Sequence, residues 1–413
     1  MLVKRFVFLV LFVGFHGLFL IAHNSELPWD GIVGFKDGMK IIKNTGPPLF
    51  GENEFILEEN LSISYGENEG DIFGSVTAIE LDNDNNIYLL DTKRCRILSY
   101  DKKGSYRFSF GSKGNGPGEF RRPLDFFVRE EKEEIYVLDD RIIHVLDGKG
   151  NYKNQIKLNH YATDFFINKE DYDFIISYLM YSKNIKEKVL GYFSPDFSKR
   201  KKIAQFFEGK IVKKYSGGKH IVFHFNHIYT PEFLFQRTFD SKCIFGHSSE
   251  YSLNVVSEKG IPLLTIEKEE DASPISSEEK RMIYERNLPY IEKKWSKEIF
   301  KEVLQFPPHR PFYKKILVDD KGRIYVGRLS SILEMGKENR IYVFDVFDKE
   351  GYYIYKIRSP IKPYVIKEGC LYSIDNRSDE EDIKIRRFKI VNWREIKEGK
   401  ELTSMVVAKN KIK

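Results

Sequence analysis

Cysteine is scarce in this chain. Three thiols, Cys95, Cys243 and Cys370, are spread over 413 residues. Their odd number and wide separation exclude a small domain stapled by disulfides, and no Cys-x-x-Cys or Cys/His spacing marks a structural metal. Methionine is also sparse, at 6 residues, and alanine is visibly rare. Both are strong helix formers, so their scarcity argues against a mainly helical protein. No large excess of one charge exists either: 67 Lys and Arg face 61 Asp and Glu, a net +6. Removing residues 1–22 takes away Lys4 and Arg5 and leaves +4. The charges are interleaved, which reads as a solvated mixed surface and not as a nucleic-acid footprint. There is no Gly-x-Ser-x-Gly and no His-Glu-x-x-His, so no catalytic motif stands out.

Aromatic residues are plentiful, at 15% of the chain, with 33 Phe and 24 Tyr. These favour strands. At the N-terminus, Lys4 and Arg5 precede 17 residues, Phe6 to Ala22, without a formal charge. A basic start followed by an apolar stretch predicts a signal peptide over residues 1–22. The cleavage site is poor, with a small residue only at Ala22, and no Cys follows for lipid attachment. Seventeen residues can just span a bilayer, so an uncleaved membrane anchor is the alternative, with a buried strand or helix behind it. Either of the first two places residues 23–413 outside the cytoplasm. They would be secreted or periplasmic, or anchored facing outward, with membrane contact only through residues 6–22.

One pattern recurs along the rest of the chain: a polar turn, an Ile/Leu-Tyr or similar pair, then alternation ending near an Asp. Its anchor positions are Ile87, Ile135, Ile175, Ile221, Ile324 and Leu371, with gaps of 48, 40, 46, 103 and 47. Several are followed by a hairpin around a turn of the Asp-Lys-Lys-Gly kind, as in residues 96–110, 141–156 and 340–357. Such a repeat is a set of short antiparallel strands too small to stand alone, and a closed ring of repeats solves that problem. The repeat therefore predicts an all-β, six-bladed β-propeller over residues 23–413. Either Lys40–Lys43 or Phe55–Tyr65 is expected to complete the last blade beside residues 383–390.

The long gap predicts a helical insertion near residues 276–305. Ser276 and Glu279 match a capping box. Pro289 sits where a second helix could begin. Ile291, Trp295, Ile299 and Val303, beside Phe300 and Leu304, form an apolar stripe expected to pack on the propeller; a lid or partner-docking element is the alternative.

The run Gly111-Ser-Lys-Gly114-Asn-Gly116-Pro117-Gly118-Glu119-Phe120, followed by Pro123, then a strand, then Ile135-Tyr-Val-Leu-Asp139, resembles the NHL-repeat signature. The segments 44–53 and 306–326 and the insertion are similar to exported bacterial six-bladed propellers. The resemblance spans roughly residues 38–392 and is weak over 160–250. It implies a fold and no shared reaction.

Three local runs invite other chemistry. Residues 111–118 lack the Gly-Lys-Ser/Thr and the helix of a phosphate loop and are expected to link two blades. Asp82–Asn86 has neither the glycine nor the glutamate of a calcium loop and is expected to be a turn. His220 and His224 share a strand face but stand too far apart to bind one metal directly.

The ends of the anchor strands are the candidate ligand-binding positions: Asp91, Arg94, Asp139, Tyr178, His227, Arg328, Asp375 and Arg377. By repeat symmetry they fall on one rim, where Arg and Asp can hold an anionic or sugar-like ligand through paired hydrogen bonds. The plainer role for the same residues is closing turns and tying blades together. Two functions follow. One is an extracytoplasmic binding module for a protein, peptide or glycan at the rim or central channel, without catalytic residues, metal or cofactor. The other is a metal-dependent hydrolase or lyase of the lactonase or amidating-lyase type, needing at least three ligating side chains around the channel.

Overall fold

The computed structural model describes residues 11–14, 17–20, 29–64, 66, 73–168, 171–182, 185–216, 219–223, 225–292, 300–302, 304–334, 340–375 and 383–396. Six antiparallel sheets follow one another. Blade one holds Val76–Leu81, Ile87–Asp91, Arg96–Tyr100 and Tyr106–Phe110. Blade two holds Pro123–Arg129, Glu134–Asp139, Ile142–Asp147 and Tyr152–Lys157. Blade three holds Tyr161–Ile167, Phe174–Ser182, Ile185–Phe193 and Arg200–Lys210. Blade four starts only at Phe233–Arg237 and continues through Cys243–His247, Ser252–Val256 and Pro262–Lys268. Blade five holds Tyr313–Val318, Ile324–Arg328, Tyr342–Phe347 and Tyr353–Ser359. Blade six holds Val365–Lys367, Cys370–Asp375 and Lys384–Ile390.

Period-two geometry explains why the second strands are so uniformly apolar. In blade two, Ile135 and Val137 join the core shared with blade one, whereas Tyr136 and Leu138 join the core shared with blade three. In blade one, Ile87 and Leu89 face blade six while Tyr88 and Leu90 face blade two. Each such strand is sandwiched between neighbours, so both of its faces are dry. No blade has a core of its own.

The hairpin turns use one device four times. Asp101, Asp147, Asp319 and Asp348 each accept, through Oδ1, the N–H groups two and four residues ahead, at 2.8–3.0 Å. Gly104, Gly150, Gly322 and Gly351, three residues on, take φ of +79° to +93°. A side chain would be strained there, which fixes the Asp-x-x-Gly spacing. Asp82–Asn86 is a turn of similar kind, with Asn86 N donating to Asp82 Oδ1 at 2.7 Å.

The N-terminal part closes the ring, by a longer route than expected. Leu57–Ser64 pairs antiparallel with Lys384–Ile390 and supplies the fourth strand of blade six. Residues 40–43 do not. They lie in Met39–Asn44, which adds in parallel to the outer strand of blade four, with Gly31–Lys36 beyond it. Glu52–Glu54 adds in parallel to blade five. The segment 31–64 is thus a strap across three blades. Asn44 pins it: its amide donates to the carbonyls of Glu267 and Gly351, and its Oδ1 accepts from Trp29 Nε1 and Tyr353 N.

Two sequence expectations need correction. Ile221 does not anchor blade four. Lys219–Phe223 is a genuine strand, but it pairs only with Val212–Ser216 as an inserted hairpin, and the blade-four anchor is Ile244 in Cys243–His247. Pro289 starts no second helix; it lies inside helix α1, Ser277–Glu292. The capping box is present, with Ser276 N donating to Glu279 and Glu279 N to Ser276 Oγ. Glu279 also accepts from Arg310, Ser331 and Tyr229, which clamps the helix start to the loops. Ile283 and Ile275 pack with Tyr229 and Ile332, and Phe300 stacks on Tyr284. Trp295, Ile299 and Val303 lie outside the described residues. Near the N-terminus, Leu11–Gly14 pairs antiparallel with Gly17–Leu20.

Candidate binding site

The rim positions are built into the frame. Asp91 is fully buried and accepts the N–H groups of Gly74 and Ser75, just before its own blade's first strand. Asp139 accepts those of Arg121 and Arg122 at 2.8 and 2.5 Å, with His144 Nε2 at 3.6 Å. Burial pushes the Asp139 carboxyl up, but His144 and these two N–H groups together hold it below the ordinary range. Arg94 donates its backbone N–H to Asp91. In blade four the same task falls to Ser248, whose Oγ accepts from Glu232 N at 2.9 Å.

His227 sits in the loop after the inserted hairpin, Nε2 2.7 Å from the Gln305 carbonyl oxygen and Nδ1 accepting from Tyr229 N. Arg328 grips both Glu270 oxygens and Asp345, and Asp345 also accepts from the Tyr251 and Tyr353 hydroxyls. Asp375 pairs with Arg386 at 3.0 Å. Tyr178 is half-buried and stacks on His160 at 4.6 Å. Arg377 and His224 lie outside the described residues. The described rim residues thus each have partners of their own.

The residues that do converge come from the innermost strands. A cavity of about 410 Å³ runs along the axis, and all six blades line it. Glu80 of blade one, Asp125 of blade two and Asp164 of blade three supply carboxylates. Arg237 of blade four reaches back to ion-pair with Glu80 and stands 4.0 Å from Asp125. Its guanidinium also donates to the Phe126 carbonyl oxygen and lies 5.0 Å from the Phe127 ring centroid. Lys188 neutralises Asp164 at 3.4 Å. Across the channel, Lys315 of blade five lies over the Tyr364 ring at 4.5 Å. Among the described residues it has no carboxylate partner.

Bulges help to place these groups. The innermost strand of blades two, three and five shifts register immediately before Asp125, Asp164 and Lys315. A bulge re-aims the side chain beside it. Enclosure then sets the protonation. Asp125 is pushed up to about 7, first by burial and then by its acidic neighbours Asp164 and Glu80, with Arg237 opposing. Burial also raises Glu80 against the pull of Arg237. Lys315 is brought down to about 8 by burial and by the nearby Lys362. One wall is thus acidic but already paired, and the opposite wall carries a cation that is not.

Residues 67–273 match the profile of a family described as 6-bladed beta-propeller. This chain belongs to that family. Three solved structures share the propeller's outline. A putative exported protein from Bacteroides fragilis is 14% identical, with 84% of this chain and 98% of that one covered, at a TM-score of 0.49. A member of the DUF4221 family from Bacteroides vulgatus is 12% identical, with 82% and 99% covered, at 0.50. Virginiamycin B lyase from Staphylococcus aureus is 11% identical, with 82% and 100% covered, at 0.40. At such identities the likeness is one of fold alone. No curated protein matches the chain.

Within this propeller, no three His, Cys, Asp or Glu side chains among the described residues are grouped so as to hold a metal ion. Among the same residues, no helix is long and apolar enough to cross a membrane. Sequence reasoning missed the channel group because it looked at the second strand of each repeat. The signal lay one strand earlier. Leu124-Asp125-Phe126-Phe127 and Thr163-Asp164-Phe165-Phe166 repeat an acid before two Phe, and each acid precedes its blade's anchor Ile by about the same interval, 10 and 11 residues. A charge inside an otherwise apolar innermost strand, recurring in step, points at the axis.

Proposed function

We propose that this propeller is a binding module outside the cytoplasm whose central channel takes an acidic group of a peptide or glycan. The observation that carries the reading is Lys315. A lysine enclosed in a channel costs stability unless something neutralises it, and the carboxylates across the cavity are occupied by Arg237 and Lys188. An incoming carboxylate would meet the Lys315 ammonium in a setting of low dielectric, where the attraction is strong. Phe127, Phe166 and Phe235 offer apolar surface beside it, and a cavity of about 410 Å³ is of ligand size. The extracytoplasmic location rests on Lys4, Arg5 and the apolar run to Ala22.

Arrays of acidic and neutral glycans and peptides test the reading. Acidic probes should be retained, and Lys315→Met should weaken them about tenfold or more. Retention should also fall as pH rises through about 8, where Lys315 loses its charge. Preference for neutral probes, or binding indifferent to Lys315→Met, would refute it. Mass spectrometry of the protein recovered from cells should find a mature N-terminus near residue 23 if the leader is cut.

A further inference from the structure

A second cavity, of about 290 Å³, lies away from the axis in the seam between blades two and three. Its floor is apolar: Leu158, Ala162 and Ile176 belong to the core shared by these two blades. Its walls are aromatic. Tyr178 stacks on His160 on one side and meets Phe193 edge-on at 6.0 Å on the other, and Phe197 lies 5.4 Å beyond Phe193. Arg200 is exposed beside the cavity, and its guanidinium has no hydrogen-bonding or ion-pair partner among the described residues.

The cavity exists because blade three breaks the rule its neighbours follow. Where Asp91 and Asp139 reach back to cap the linker entering their own blades, blade three has Tyr178. Asp91 caps the N–H of Gly74, two residues before its strand partner Val76; the matching residue in blade three is His160, two before Ala162. An aromatic ring therefore covers the place where a carboxylate would sit, and the local anion is missing. Arg141 comes from the blade-two side and lies 3.8 Å over the Tyr161 ring. Burial first, and then the charges of Arg200 and Arg141, hold the His160 imidazole toward the neutral form. Gly191 provides the room. A methyl group there would meet Phe193 at 2.9 Å and Tyr178 at 3.2 Å, so any larger residue would press on the rings that form the walls.

We propose that this seam pocket binds a small aromatic monocarboxylate, its ring held among Tyr178, Phe193 and Phe197 and its carboxylate on Arg200. The arginine supplies the anion that blade three lacks with a docking point, and a planar fork suits a carboxylate. Offset and edge-on ring contacts favour an aromatic ligand over an alkyl chain of equal length. The pocket is separate from the axial channel and stands or falls without it.

The test is calorimetric titration of the full chain, with Lys315→Met in place to remove the axial channel's cation, using 3-phenylpropionate, its neutral amide 3-phenylpropionamide, and octanoate. The carboxylate should bind with one-to-one stoichiometry, and the amide and octanoate each at least tenfold more weakly. Arg200→Met, at an exposed position that should not disturb folding, should weaken 3-phenylpropionate about tenfold or more. Gly191→Val should abolish binding, with a thermal melt confirming that the variant is folded. Absence of binding with Arg200 intact, equal binding of the amide or of octanoate, or binding that survives Arg200→Met would each overturn the assignment.

Discussion

Single residues in this propeller carry unequal weight, and their hydrogen-bond inventories say why. Asn44 is almost fully buried and makes four hydrogen bonds, three of which join the strap to blades four and five while the fourth holds Trp29. Asn44→Ala would leave several buried partners unsatisfied, so a loss of about 2–4 kcal/mol is expected by urea unfolding. Lys315 should behave in the opposite sense. Its folded pKa is lowered to about 8 from the ordinary lysine value of 10.5. Between those two values the unfolded chain holds the proton more tightly, so the native state is penalised below pH 8 and the penalty is relieved as pH rises. Lys315→Met should therefore stabilise the protein at pH 7 by on the order of 1 kcal/mol while damaging binding. A melting curve showing destabilisation instead would mean that Lys315 serves the frame. Asp139 is the reverse case: its folded pKa is lowered, so its contribution is complete above the unfolded value and is lost as pH falls through the folded one. Replacement by Asn should flatten the acid limb of the stability profile below about pH 4.

At the scale of strands and turns, much was readable before any coordinates. The Asp-x-x-Gly hairpins identify themselves because only one arrangement of Asp oxygen and positive-φ glycine satisfies the turn. The second strands identify themselves because both faces are buried, giving unbroken runs such as Ile87–Leu90. Blade four was misplaced because His220–Phe223 carries the same local signature as an anchor strand, and only pairing distinguishes a blade from an inserted hairpin. The helix was placed by its capping box, but Pro289 misled, since a proline inside a helix and one at its first turn look alike in sequence. The closing strand makes a testable element. Ile63 is buried and faces Ile385 across the ladder. Ile63→Ala and Ile385→Ala should each cost about 2–4 kcal/mol, and the double variant less than their sum, because the two share one cavity.

For the molecule as a whole, the ring was legible and the axial chemistry was not. The repeat length and hairpins imply blades, and blades imply a centre. Which side chains meet there depends on bulges and on reach across the axis, as with Arg237 and Glu80, and neither leaves a mark within one repeat. Because neighbouring blades share every core, unfolding should be a single cooperative event, seen as coincident fluorescence and circular-dichroism transitions. A circular permutant that begins at residue 73 and carries residues 29–66 behind residue 396 should regain the native transition. Simple deletion of residues 1–66 should not.

The strap also dictates a timetable. Leu57–Ser64 is made early, yet the strand it pairs with, Lys384–Ile390, is made more than three hundred residues later. Translation at roughly 5–20 residues per second leaves the early segment without its partner for tens of seconds. Throughout that interval the growing chain presents bare strand edges, the surfaces most apt to aggregate. A polypeptide that must stay unlatched until its last blade emerges is also one that can be threaded through a narrow secretion pore before it locks.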